Sequence, residues 1–196
     1  MDYNSSSSEL NKLFPSNDVI PNIVYKSLNW NRSIIGGSYA LQQFTGDKWK
    51  PNDIDIMIKC DDINDFQNEV IRFINETKGT LIKTRENMNP AVGKQSLPLE
   101  EDFHKSILGT ATIMVNDCPK PIQLVAIKTE PYDTLLGHLN KITDTPACVS
   151  YTVQNNQRIY HIPEKCCEAL FTRKVKKNNI CFTRMDKYKE RGYDFY

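Results

Sequence analysis

Two aspartates flank an isoleucine in the run Asp53-Ile54-Asp55-Ile56. In an extended strand, residues i and i+2 project to the same face. The two carboxylates therefore share one face and the isoleucines the other, which predicts a strand from 53 to 56, running on to Lys59, acidic above and apolar beneath. Paired carboxylates on one face suit magnesium or manganese, which prefer hard oxygen ligands. Upstream, Ser33-Ile34-Ile35 reads as a short strand entering Gly36-Gly37. Ser38 to Phe44 then reads as a helix that Ser38 caps. Glycines lack Cβ, so backbone N–H groups there can approach an anion closely. The helix start turns its positive end to the same place, and Ser38 adds a hydroxyl. Taken singly, an Asp-x-Asp at a strand edge is an ordinary solvated pair and Gly-Gly is an ordinary tight turn. In this order they form a device for holding a polyphosphate against divalent cations, which is what nucleotidyl transfer requires.

The remaining pattern supplies elements to position that device. Val19, Ile23, Val24 and Leu28 recur at helical spacing. Residues 61–77 read as an amphipathic helix with Phe66, Val70, Phe73 and Ile74 on one side, ended by Gly79. A strand follows over 80–84, then a polar, irregular insertion over 86–105. Residues 111–115 and 122–127 predict a hairpin around Asn116-Asp117-Cys118-Pro119. A helix over 132–142 precedes a second hairpin, 147–153 with 158–162. Helices over 164–176 and 184–191 close the chain, the last one basic and ended by Gly192. Strands and helices do not strictly alternate, which predicts an α+β fold: a mixed β-sheet flanked by helices. The expected organisation is a polar arm at 1–16 (loose, or a short helix), a core at 17–163, and a basic helical extension at 164–196 packed on it.

Charge is unevenly placed. Residues 165–191 hold nine Lys/Arg and three acids, whereas residues 1–164 hold 16 Lys/Arg and 20 acids. The basic end can face a polyanion, nucleic acid or triphosphate, or be a solvated helical face. Arg184, Lys187 and Arg191 fall on neighbouring turns of its last helix. Lys48 and Lys50 flank the acidic strand in sequence. Trp30 and Trp49 read as packing residues, and Tyr188 either packs in the core or stacks on a base. The six cysteines lack metal-site spacing, so free thiols in a reducing, cytoplasmic setting are expected. No apolar run reaches the roughly 20 residues that span a bilayer, and Met1 to Ser8 has no signal-peptide pattern.

Residues 34–56, from Ile34-Ile35-Gly36-Gly37-Ser38 to Asp53-Ile54-Asp55-Ile56, resemble the signature of the DNA polymerase β-like nucleotidyltransferase superfamily. The spacer of 14 residues between Ser38 and Asp53 is slightly long for it, which implies an enlarged loop at 46–52. Ile122-Gln123-Leu124-Val125, Asp144 shortly before Cys148, and Lys187-Tyr188-Lys189-Glu190-Arg191-Gly192 are similar to segments of small nucleotidyltransferase-like proteins of large DNA viruses and phages. That likeness implies a viral protein of the host cytoplasm.

The resemblance implies an EC 2.7.7-type enzyme that moves a nucleoside monophosphate from an NTP, such as ATP, to a hydroxyl acceptor with Mg2+ or Mn2+. Asp53 and Asp55 would be catalytic metal ligands, and Gly36, Gly37 and Ser38 would hold the nucleotide; from their charge and position alone, Lys48 touches its phosphates or lies on a solvated loop, and Arg184 and Lys187 bind the triphosphate or a nucleic-acid backbone. The family pattern calls for a third carboxylate. Gln123 has the right hydrophobic frame but is an amide, which binds magnesium poorly and cannot act as a base. Asp144 fits the viral pattern and is the preferred third ligand. Two other classes stay open: an inactive relative that binds a nucleotide or a partner, and a nucleic-acid-binding module using the basic segment. The acceptor is nucleic acid, protein or a small molecule.

Overall fold

The structure is a computed structural model. It describes residues 8–13, 19–86, 105–142, 146, 148–177, 180 and 182–196, with the backbone alone at 8–13, 142, 182 and 183. Ten strands are described: β1 (Ser8–Leu13), β2 (Ser33–Gly36), β3 (Ile54–Lys59), β4 (Thr80–Glu86), β5 (Ile107–Met114), β6 (Ile122–Ile127), β7 (Ser150–Gln154), β8 (Gln157–Ile162), β9 (Lys174–Val175) and β10 (Asp194–Phe195). The helices are α1 (Asn22–Ser27), α2 (Gly37–Thr45), α3 (Ile63–Thr77), α4 (Leu135–Ile142), α5 (Glu164–Thr172) and α6 (Phe182–Lys189).

Eight strands form one mixed sheet in the order β1-β8-β7-β2-β3-β6-β5-β4. β3 runs parallel to β6 and antiparallel to β2, so the acidic strand lies near the middle of the sheet. This is the α+β architecture expected from the pattern. The alternation in β3 does what its residue types require. Ile54, Ile56 and Ile58 are fully buried in a core shared with Val24 of α1, Tyr39 of α2 and Phe66, Val70 and Phe73 of α3. Burying each such side chain contributes about 1.5–3 kcal/mol. On the opposite face Met57 packs with Ile34, Val125, Leu135 and Leu139, beneath α4. The strand is thus anchored on both faces, and the acids lie at its N-terminal end.

Several local readings change. Residues 8–13 are extended, not helical, and pair antiparallel with β8 at the sheet edge. Helix α3 ends at Lys78, which takes the left-handed position (φ 55°), while Gly79 donates its N–H to the Ile74 carbonyl. The helix expected over 164–176 stops at Thr172, because Arg173 turns left-handed and Lys174–Val175 pairs in parallel with Asp194–Phe195. The second hairpin turns at Asn155-Asn156, both at positive φ (50° and 60°), as the tightest hairpin turns require. Nearly all of the polar insertion at 86–105 lies outside the described residues. Among the described residues, no helix is long and apolar enough to cross a membrane.

Candidate functional site

The acidic strand and the glycine turn meet. β2 and β3 pair with Gly36 opposite Asp55 and Ile35 opposite Ile56. Gly37 has φ +66°, and a Cβ there would lie 2.4 Å from Asp55 Oδ2. Glycine is therefore required twice, by backbone conformation and by the carboxylate against it. Gly36, not Ser38, is the N-cap of α2, and no side chain caps this helix. A glycine cap leaves the first backbone N–H groups of the helix without a side-chain acceptor. Ser38 is instead buried in the first turn.

Asp53 immediately precedes β3, and both it and Asp55 are half-buried. Desolvation, and then repulsion from Asp53, push Asp55 up to about 7, against the opposing pull of Lys187 and Arg184. The Lys187 ammonium is lowered by desolvation and by the neighbouring charges of Arg191 and Arg184, with Asp53 and Asp55 acting the other way. Two carboxylates on the sheet thus lie within reach of cations on α6 and just after it, well over a hundred residues away in sequence.

The placement on α6 follows from helical geometry. Met185 and Tyr188 are buried in the same core as Ile54 and Ile56, which turns Arg184 and Lys187 to another face; the helix expected to run to 191 stops at Lys189, and Arg191 follows it in the turn. The loop between α2 and β3 fastens this segment. Asp47 accepts two hydrogen bonds from Arg173, both 2.8 Å, and one from Trp49 Nε1 at 3.1 Å. Desolvation works upward on Asp47, but these hydrogen bonds outweigh it and hold it below the usual carboxylate value. The Arg191 guanidinium stacks 4.0 Å from the Trp49 ring centroid and 5.2 Å from that of Tyr188. Lys48 is exposed on the same loop. Asp144 lies outside the described residues. The chain passes close to the turn again at Ser150, whose Cβ would lie 3.8 Å from a Cβ on Gly36.

Gln123 sits directly opposite Asp55 in the β3–β6 register. The neighbouring strand therefore offers an amide where it meets the acidic pair. Among the described residues no group of three or more His, Cys, Asp or Glu side chains gathers as a metal site. The donors present do fit a divalent cation in kind: two carboxylates on one face, whose crowding a cation would relieve.

Solved structures share this architecture. A CCA-adding enzyme in complex with CTP matches with a TM-score of 0.56 over 89% of this chain, at 13% sequence identity. A tRNA-processing enzyme in an apo form matches with a TM-score of 0.54 over 94% of this chain, at 11% identity. The chain has a nucleotidyltransferase-like fold. It spans less than half of those structures, 40% and 46% of their length. No family model matches the sequence, and no curated protein does. At such low identity the likeness is one of fold, so residue roles within this nucleotidyltransferase-like fold rest on the chain's own geometry.

Two parts of the site were not legible beforehand. Asp47 carried no local signal, since its partner Arg173 is 126 residues away. Trp49 read as a packing residue, and it does pack against the core. Its stack on Arg191 depends on α6 folding across the sheet.

Proposed function

We propose that this chain is a nucleotidyltransferase that joins a nucleoside monophosphate from an NTP to a hydroxyl acceptor. The observation that carries the reading is the contact between Gly37 and Asp55, with the cations of α6 across from them. The backbone at Gly36 and Gly37 and the Ser38 hydroxyl hold phosphate oxygens. Lys48, Arg184 and Lys187 balance the charge of the triphosphate. Asp53 and Asp55 would hold Mg2+ or Mn2+, with Asp144 as third carboxylate. The metal, when bound, neutralises phosphate charge and polarises the reacting phosphorus. The acceptor oxygen bonds to the α-phosphorus, the bond from that phosphorus to the bridging oxygen breaks, and pyrophosphate leaves. Asp144 takes the hydroxyl proton. Residues 17–163 act as the core and 164–196 as an extension that closes the site, with 1–16 as an arm. The basic extension and the relative's description as a tRNA-processing enzyme support nucleic acid as the first acceptor to test.

The test is pyrophosphate release with each NTP and Mg2+ or Mn2+, over RNA, protein and small-molecule acceptors. Turnover is expected, and Asp53→Ala with Asp55→Ala removes it by roughly a thousandfold or more, about 4 kcal/mol of barrier. No release with any combination defeats the reading.

A second reading, a catalytically inactive nucleotide- or nucleic-acid-binding module, is favoured by one observation: Gln123 opposite Asp55. Nucleotide binding without turnover, and turnover gained in Gln123→Asp, would select it. A Gln123→Asp variant no more active than its parent would count against it.

A further inference from the structure

We propose that Arg191, positioned by Trp49, binds phosphoryl oxygens of the nucleotide's polyphosphate tail. The inference rests on the nucleotide-binding reading above and assigns it a further residue. Arg191 is held by its faces, 4.0 Å from the Trp49 ring and 5.2 Å from that of Tyr188. A stacked guanidinium keeps its edge for in-plane hydrogen bonds. That edge is incompletely used: Arg191 Nη1 is buried and has no hydrogen-bond acceptor among the described residues. A buried donor left unpaired is costly unless an acceptor arrives.

The surroundings indicate which acceptor. Arg191 raises the electrostatic burden on Lys187 together with Arg184, and it feels the charge of Asp53. Three cations therefore gather around two carboxylates. The cluster is short of negative charge, and a polyphosphate is the densest source of it with in-plane acceptors for a guanidinium fork. Trp49 belongs to the loop joining α2 to the acidic strand, so the stack holds Arg191 beside the segment that leads into Asp53, whose charge it feels, and not out along the basic surface.

Phosphate could also come from an acceptor's backbone, and the experiment separates the two sources. In a Trp30→Phe background Trp49 is the only tryptophan, so its emission reports on the stacked guanidinium. The full chain is titrated with inorganic triphosphate and Mg2+, and separately with a single-stranded RNA oligonucleotide. Triphosphate is expected to shift Trp49 emission. Arg191→Ala is expected to weaken triphosphate binding by about tenfold or more, and Arg191→Lys by less, since a lysine keeps the charge but loses the planar fork. Trp49→Ala, with binding followed by calorimetry, is expected to act in the same direction. Arg191→Gln serves if Arg191→Ala does not fold. Equal triphosphate affinity in the parent and the Arg191 variants overturns the proposal, as does a loss confined to the oligonucleotide or a parent that binds no triphosphate. Triphosphate binding needs no turnover, so an inactive parent whose binding depends on Arg191 would defeat catalysis and leave this assignment standing.

Discussion

Two charged clusters in this molecule contrast. One joins Arg32 to Asp65 and Glu69, and Arg72 to Glu69 and Glu76, along α3. The other sets Asp53 and Asp55 against Arg184, Lys187 and Arg191. In the first, burial works against the charges of Asp65, Arg32 and Arg72, yet direct hydrogen bonds outweigh it: Asp65 is held below the ordinary carboxylate value, while Arg32 and Arg72 are raised. Those three ions are more comfortable charged. In the second, desolvation wins: Asp55 rises, and Lys187 and Arg191 fall. Those three ions are less comfortable charged. The first cluster satisfies itself and is architecture. The second does not satisfy itself, which is the pattern on which the proposed function rests.

The contrast can be broken at its tightest point. Gly37→Ala forces a methyl to 2.4 Å from Asp55 Oδ2 at a backbone angle that disfavours alanine. It is expected to lower turnover by roughly a hundredfold, the effect of an ångström-scale misplacement, and stability by about 1–3 kcal/mol. Pyrophosphate release and chemical denaturation measure the two. Full activity in Gly37→Ala would show that the turn does not serve the acids.

Titration sharpens it. The native state holds Asp55's proton up to about 7, whereas an ordinary aspartate loses it near 3.8. Stability from this group is therefore fully present below 3.8 and is lost as pH rises through about 7. Asp55→Asn should melt higher than the parent, by a margin that opens across that window and then levels off. Asp65→Asn should do the reverse. Its folded value is lowered, so the stability it contributes is present above the ordinary carboxylate value and disappears as pH falls through the folded one. Melting curves from pH 3 to pH 9 compare them, and parallel behaviour of the two variants would erase the distinction.

The smallest effect is expected at the fastening of the two halves. Arg173→Ala removes a half-exposed bidentate pair with Asp47. The cost should be about 1 kcal/mol or less, and KM for the NTP should rise by at most about fivefold, because Trp49 and Arg191 still hold α6. A larger rise in KM would mean that the Asp47–Arg173 pair, more than the stack, sets where the cations stand.

Much of this was written in the chain order. Period-two alternation over Asp53 to Ile56, Gly-Gly before a helix, and the apolar spacing of Phe66, Val70 and Phe73 are local signals, because neighbours in sequence must share or oppose a face of their own element. Local signals misled where competing conformations were close in energy. Lys78 took the left-handed position expected of Gly79, and Arg173 ended a helix that its residues could have continued. No pattern marks Asp47 for Arg173, or Trp49 for Arg191, since a contact across more than a hundred residues leaves no periodic trace.

The sequence alone determined the mixed α+β architecture, the acidic face of β3 and the glycine turn, since backbone sterics and side-chain alternation act over a few residues. Tertiary structure decided that Gly37 lies against Asp55, that Gln123 is the partner across the sheet, and that the basic helix folds over the acids. Those follow from strand register and core packing, which depend on the whole chain closing around one set of buried side chains.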